Sequence, residues 1–325
     1  MPVLVTGASG FTGSNLCRRL VEAGCEVRAL VRPTSKREAL AGLDLEIVTG
    51  DLAGDSLPAD LCKNVDTVYH IAAMYREQGT ENAFQQVNAS GTDRLLYAAL
   101  DAGVRRFVHC STVGVLGNIE NPPANEDAPY APGDRYQKSK LEGELRALSF
   151  MREHGLPVTV VRPSAIYGPG DLRFVKLFRA INRRMFVMLG SGEVYYHYVY
   201  IDDLVTGFML AAASDAAVGE VFIIAGEEFV TIKRLTEMIA EALGRPAPAL
   251  HFPIAPVMFA AQACQAICEP LSIKPPLYPR RLDFFRKHRA FDISKARRML
   301  GYRPQVDMRT GIQRTADWYR SHNLL

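Results

Sequence analysis

Tyr136 and Lys140 stand four residues apart, so on a helix they share one face. A β-rich run just before them ends in two hydroxyl residues, Ser111 and Thr112. Together these side chains could move a proton to or from a substrate oxygen, with Thr112 holding the oxygen and Tyr136 giving or taking its proton. A free tyrosine has a pKa of about 10, and lowering it to about 7 requires about 4 kcal/mol at 1.36 kcal/mol per unit. A neighbouring ammonium such as that of Lys140 acts in this direction. A Tyr-x-x-x-Lys pair is common on surfaces, and this one takes its meaning from what precedes it.

That context opens at residue 3. The apolar run Val3-Leu4-Val5 reads as a buried strand, and Gly7, Gly10 and Gly13 follow at three-residue spacing before an apolar helical pattern begins (Leu16, Leu20, Val21). Strand, glycine turn and helix in this order predict a dinucleotide site. Gly7 permits the tight turn, Gly10 lets backbone approach a pyrophosphate, and Gly13 lets the helix lie close to the strand. Ser9, Phe11 and Thr12 complete the turn, and the helix N-terminus faces the phosphates. The second strand ends in Arg32, with Lys36 behind it, where an NAD site usually carries an acid. A guanidinium suits a 2′-phosphate, so NADP is favoured, with NAD as the alternative. Asp51-Leu52 after the third strand offers a carboxylate to adenine, and the small residues Ala72 and Ala73 after the fourth let backbone lie against the cofactor.

The elements that would position these residues alternate. Strands are expected at 2–6, 26–31, 44–49, 66–70, 105–111 and 157–162, and helices at 12–23, 55–63, 82–102 and 135–154. Continuous apolar strands between amphipathic helices predict an α/β fold, a doubly wound parallel sheet of Rossmann type, with ligands at the strands' carboxyl ends. Residues 1–170, 198–225 and 291–300 are assigned to it, and 171–197, 226–290 and 301–325 to a smaller, discontinuous substrate domain. A chain of 325 residues has room for both.

The net charge of +3 gives no argument for nucleic acid, and no apolar run approaches the roughly 20 residues of a spanning helix. No basic, apolar leader precedes the first strand. The six cysteines form no disulfide or zinc pattern, which suits a reducing cytoplasm; Cys264 and Cys268 are expected as buried thiols, and no metal is expected. The almost uncharged stretch 254–269 is expected to pack into the small domain's core, where it could also wall an apolar pocket. The basic cluster of Arg280, Arg281, Arg286, Lys287 and Arg289 reads as a solvated face, with a membrane surface as the alternative.

With these residues in hand, the chain resembles the extended short-chain dehydrogenase/reductases nearly end to end. Residues 6–13 resemble their TGxxGxxG turn, with Thr12 where isoleucine is usual. Asp51-Leu52 is similar to their adenine-binding pair, Ala72-Ala73 to the cofactor wall, and Asn88 to the asparagine of NxxGT. Thr112, Tyr136 and Lys140 fall on the catalytic positions, and the resemblance implies that Lys140 also binds the nicotinamide ribose. Residues 162–170, with Pro163, Ser164 and Ala165, match the strand end beside the nicotinamide. Residues 200–204, 291–296 and 300–304 match late signatures of the family.

The departures bear on substrate. Val113 and Gly114 stand where sugar-nucleotide dehydratases carry an acidic pair, and Ala165 stands where epimerases generally carry asparagine. The wording of residues 162–171 is similar to the 3β-hydroxysteroid dehydrogenase, sterol-carboxylate dehydrogenase and dihydroflavonol reductase branch. A bacterial branch of hopanoid-associated sugar epimerases shares much of it. The resemblance implies an oxidoreductase acting on a bulky, largely apolar alcohol or ketone. A nucleotide-sugar 4-epimerase and a non-catalytic cofactor sensor are the rivals. It also implies a homodimer through the helices at 82–102 and 135–154.

Overall fold

The computed structural model describes residues 1–54, 57–75, 81–268, 270, 273 and 275–325. Strands β1 (Pro2–Thr6), β2 (Glu26–Val31), β3 (Glu46–Thr49), β4 (Thr67–His70), β5 (Arg106–Cys110) and β6 (Val158–Pro163) occupy the first half. β7 (Ala165–Tyr167), β8 (Met188–Leu189), β9 (Tyr195–Tyr200), β10 (Val221–Ile224), β11 (Phe229–Thr231) and β12 (His251–Phe252) follow. The first six strands and β10 form one seven-stranded parallel sheet, ordered β10-β6-β5-β4-β1-β2-β3. The chain leaves β1 toward β2 and β3, then returns to place β4, β5 and β6 on the other side. Loops therefore part at the carboxyl ends of β1 and β4 and open the crevice in which such sheets bind ligands.

Strand alternation assigns the two faces. Val3, Val5, Ala29, Val31 and Val108 enter one buried cluster with Leu16 and Leu20 of α1 (Phe11–Glu22). Leu4, Leu30, Val68, Phe107 and Val160 enter a second cluster on the opposite face. There α2 (Glu81–Gln85) leads through a π-helical stretch, Gln86–Ser90, to α3 (Gly91–Asp101), which packs beside α4 (Arg135–His154). The bounds of α4 follow from its ends: the Asp134 side chain accepts a hydrogen bond from the Gln137 N–H at 2.8 Å, and Gly155 closes the helix at φ +74°.

The later chain carries α5 (Val175–Asn182), α6 (Ile201–Ala213), α7 (Ile232–Leu243), α8 (Ile254–Cys268), α9 (Ser294–Leu300) and α10 (Met308–Ser321). α6 packs with α1 on the large sheet, and α9 against β10. A three-stranded sheet, β11-β9-β7, and a pair, β12-β8, lie outside the large sheet.

Two expected helices differ. Residues 57–63 form turns rather than a helix, and the first two residues of that expected element, 55 and 56, lie outside the described residues. The single helix expected at 82–102 is three segments, because Asn88 puts its side-chain amide to backbone and hydroxyl partners outside the helix and the ladder loosens to a π-turn there. α8 also departs from its expected core position: Ala261 is its one buried residue among those described, and Cys264 and Cys268 are half-buried.

Gly143 of α4 faces the π-turn. A Cβ there would meet the Asn88 carbonyl oxygen at 2.3 Å. Gly143→Ala is expected to lower stability by about 1–3 kcal/mol despite alanine's better helix propensity. Urea unfolding checks this; an unchanged midpoint would show that the close approach is dispensable.

Candidate active site

The crevice begins at the glycine turn, where the three glycines have three different tasks. Gly7 takes φ +68°, and a Cβ on it would lie 2.7 Å from the Ala72 amide nitrogen, so the turn and the end of β4 are in backbone contact. A Cβ on Gly13 would lie 2.2 Å from the Gly7 carbonyl oxygen, which holds α1 close against the turn. Gly10 is exposed, its Cβ direction meets only the Gly7 oxygen at 3.3 Å, and as N-cap of α1 it offers no side chain to the helix's free N–H groups. Backbone donors at an uncapped helix start, with no side chain in front of them, fit a pyrophosphate. Ser9, Phe11 and Thr12 are half-buried along the same edge.

Around this turn the other expected residues take varied positions. Arg32 and Lys36 are exposed beyond β2, and among the described residues neither forms an ion pair. One Asp51 oxygen accepts from the Ala53 N–H at 2.9 Å, while Leu52 is buried. Ala72 donates its N–H to Thr6 Oγ1 at 3.2 Å, and Ala73 is exposed beside it. Asn88 is turned inward: its Oδ1 accepts from the Met74 N–H (2.7 Å), and its Nδ2 donates to the Met74 carbonyl (3.1 Å) and Ser139 Oγ (2.9 Å). Ser139 in turn donates to the Tyr136 carbonyl at 2.9 Å. Asn88 thus ties the chain after β4 to the first turn of α4. Pro163 closes β6, Ala165 is half-buried in β7, and between them the Ser164 hydroxyl is buried with no partner among the described residues. Such an orphaned hydroxyl beside the crevice fits a ligand group.

The residues expected to transfer a proton lie at the end of β5 and on α4. Thr112 Oγ1 accepts from the Gly114 N–H at 3.0 Å, which leaves its O–H free to donate. Tyr136 and Lys140 lie on successive turns of α4, and the charges of both reach Cys110, whose thiol burial pushes up to about 11. Lys140 is 1% exposed; burial draws its ammonium down, while Cys110 and Glu144 act against that shift. The expected low tyrosine pKa is corrected here. Burial pushes the Tyr136 phenol up, Cys110 and Tyr75 add to the rise, and Arg173 opposes it. Desolvation of the phenolate outweighs the opposing Arg173 charge.

Three features escaped the sequence reading. Tyr75 stands edge-on to Tyr136, with ring centroids 5.1 Å apart. Arg173, held by Asp171 at 2.7 Å, lies 5.7 Å from the Phe11 ring centroid and brings a cation between the glycine turn and Tyr136. The third is a buried network. Glu144 is wholly buried and pairs with Arg162 of β6 at 2.6 Å, accepts from Ser111 Oγ at 2.5 Å, and accepts from the Tyr130 hydroxyl at 3.0 Å. Arg162 also donates to the Glu126 carbonyl at 3.0 Å. The expected cofactor contact Ser111 therefore spends its hydroxyl on Glu144. The spacing 136-140-144 was the available signal, since a carboxylate on that buried face needs a cationic partner.

His70 belongs to a second chain. The Ala72 N–H occupies Thr6 Oγ1, and the Thr92 hydroxyl donates to the Asn88 carbonyl at 2.8 Å. His70 Nδ1 therefore accepts from Thr6 (2.8 Å), and its Nε2–H donates to Thr92 (3.0 Å). Burial holds this neutral imidazole at about 3.

With the geometry in place, the family model for the NAD dependent epimerase/dehydratase family matches residues 3–225. The chain belongs to that family of extended short-chain dehydrogenases/reductases. It is 32% identical, over the whole of both chains, to sterol demethylase protein B of Methylococcus capsulatus. It is 33% identical to the 3-beta-hydroxysteroid dehydrogenase of Mycolicibacterium neoaurum, over 93% of this chain and 87% of the relative. Its fold matches DesIV, a dTDP-glucose 4,6-dehydratase from Streptomyces venezuelae solved with NAD, at TM-score 0.80 and 29% identity, covering 99% and 98% of the two chains.

Two outcomes follow. Glu144→Gln leaves Arg162 buried without its paired carboxylate and is expected to cost about 3–5 kcal/mol, whereas Glu144→Gln with Arg162→Met should recover much of that loss. Thermal and urea unfolding of both variants checks this, and equal losses would contradict it. His70 and His197, held neutral at about 3 and about 4, are expected not to titrate between pH 7.5 and 5. Folded pKa values below the unfolded 6.5 mean that the unfolded chain binds more protons, so this stabilisation is full above pH 6.5 and falls as pH drops toward 4. Imidazole proton resonances that move with a midpoint near 6 would refute it.

Proposed function

We propose that the enzyme interconverts a hydroxyl and a ketone on a bulky, largely apolar substrate, with Tyr136 as its acid–base group. The observation that carries this reading is the turn after Thr112. Residues Val113–Leu116 form a buried 3₁₀ turn of apolar side chains and one glycine, so this turn offers no carboxylate to drive an elimination. The methyl of Ala165, and relatives named for sterol and steroid chemistry, support an apolar substrate.

When bound, the dinucleotide supplies or accepts the hydride at its nicotinamide ring. The glycine turn and the start of α1 would hold the phosphates, Asp51 the adenine, and Ser164 and Lys140 the nicotinamide half. Thr112 donates to the substrate oxygen and orients it. Tyr136 delivers or removes the proton there, helped by positive charge from Arg173 against the burial that favours the neutral phenol. Arg32, unpaired and exposed, favours NADP. The exposed Tyr97 and Leu145 on α3 and α4 suit a homodimer face, and six free cysteines suit a cytoplasmic enzyme. The segments 171–197, 226–290 and 301–325 would close over the substrate. A second reading, 4-epimerisation of a nucleotide sugar with retained NAD, draws on the likeness to the dTDP-glucose enzyme.

Tyr136→Phe is expected to lower turnover about 10²–10⁴-fold while cofactor still binds; less than a ten-fold loss would remove the tyrosine from proton transfer. Screening hydroxysteroids, flavanonols and UDP-sugars at 340 nm separates the two readings. Net cofactor consumption supports the first, and epimer formed without absorbance change supports the second. In calorimetric titrations, Arg32→Ala should weaken NADP more than NAD by about ten-fold; a wild-type chain that binds NAD more tightly would reverse the assignment.

A further inference from the structure

Helix α8 has almost no buried side. No residue from Ile254 to Cys268 is charged, only Ala261 is buried, and Phe259 and Ile267 are 75% and 65% exposed. These two side chains stand eight residues apart, on one stripe of the helix. Leu250 and Phe252, just before α8, are also exposed, and their carbonyls accept from Met188 and Gly190 of the β8 segment at 2.8 and 2.9 Å. Leaving such a surface in water is unfavourable, and a patch of this kind marks an interaction site.

Its charge surroundings say what kind. Residues 244–290 hold seven basic and two acidic residues, a net +5, whereas the rest of the chain is net −2. The 3₁₀ turn Pro279–Phe285 packs against α8, and just past it Arg286 Nη1 lies 3.8 Å from Met258 Sδ, so cations and the apolar helix share one region. Arg281 and Arg286 are exposed, and among the described residues neither meets a carboxylate. A second copy of the chain on this face would bring two net-positive segments together. An anionic bilayer complements both features at once.

We propose that α8 and the adjoining basic turn dock on an anionic phospholipid surface, with Phe259 and Ile267 entering the interface and Arg281 and Arg286 meeting lipid phosphates. Fifteen residues give a helix of about 22 Å, short of the roughly 30 Å hydrocarbon core, so α8 lies in the interface and does not cross it. This docking is independent of the substrate reading.

Co-sedimentation of the full chain with extruded vesicles tests it. The chain is expected to partition at least ten-fold more strongly to vesicles with phosphatidylglycerol than to pure phosphatidylcholine, and less at 0.5 M salt. Phe259→Ser with Ile267→Ser, and separately Arg281→Glu with Arg286→Glu, should each reduce partition about ten-fold or more. All four side chains are exposed, so melting temperature and dinucleotide affinity should stay at wild-type values and report that the fold is intact. No preference for the anionic vesicles, or binding unchanged in both double variants, would overturn the proposal. So would a dimer in light scattering that Phe259→Ser dissociates without vesicle binding, which would give the face to a second copy.

Discussion

The buried pair of Glu144 and Arg162 is the constraint on which the site's geometry rests. Glu144 projects from α4 one turn beyond Lys140, and Arg162 from β6 near its carboxyl end, so the pair fixes the helix over the sheet where the strands stop. Desolvating two charges is costly and is recovered only if every remaining lone pair and proton is satisfied. Ser111, Tyr130 and the Glu126 backbone do so, and the Glu126 carboxylate accepts from the Ile223 N–H at 2.8 Å. One ion pair thereby sets β5, β6, β10 and α4 relative to one another. Tyr136 and Lys140 inherit their placement from that arrangement.

On the crevice side the polar groups are arranged to stay uncharged or to share charge. His70 is locked as a neutral imidazole between two threonines, and burial likewise lowers His109, so no imidazolium competes with Lys140 beneath α4. Tyr136 is also held neutral by burial, which the Arg173 charge opposes.

The turn, the strands and the Tyr-x-x-x-Lys helix were legible because their signals are local. Glycine spacing, apolar runs and the Asp134 and Gly155 caps each act within a few residues. What sequence reasoning missed depends on groups distant along the chain. Nothing near Ser111 shows that its hydroxyl is committed to a carboxylate 33 residues later. Nothing near Asn88 shows that it serves Met74 and Ser139 and breaks a helix in doing so. α8 failed for another reason: an uncharged helix reads as core by composition, and only tertiary context shows that no core surrounds it.

The relatives act on sterols and on nucleotide sugars, so the common scaffold does not choose between them, and the choice must lie in residues that touch substrate. The turn after Thr112 is one such place, and its packing makes it more than a change of side chain. Thr112 Oγ1 holds the Gly114 N–H, and a Cβ on Gly114 would stand 3.2 Å from Gln137 Cγ and 3.3 Å from Thr112 Oγ1. Gln137 is itself committed, accepting from the Gly133 N–H at 2.7 Å through Oε1. An acidic side chain at Gly114 would require Gln137 to give by a few tenths of an ångström, and Gln137 belongs to the first turn of α4, which carries the tyrosine. The glycine after Val113 thus fits the packing around Thr112 and Gln137, and an acid there would press on the helix that carries Tyr136 and Lys140.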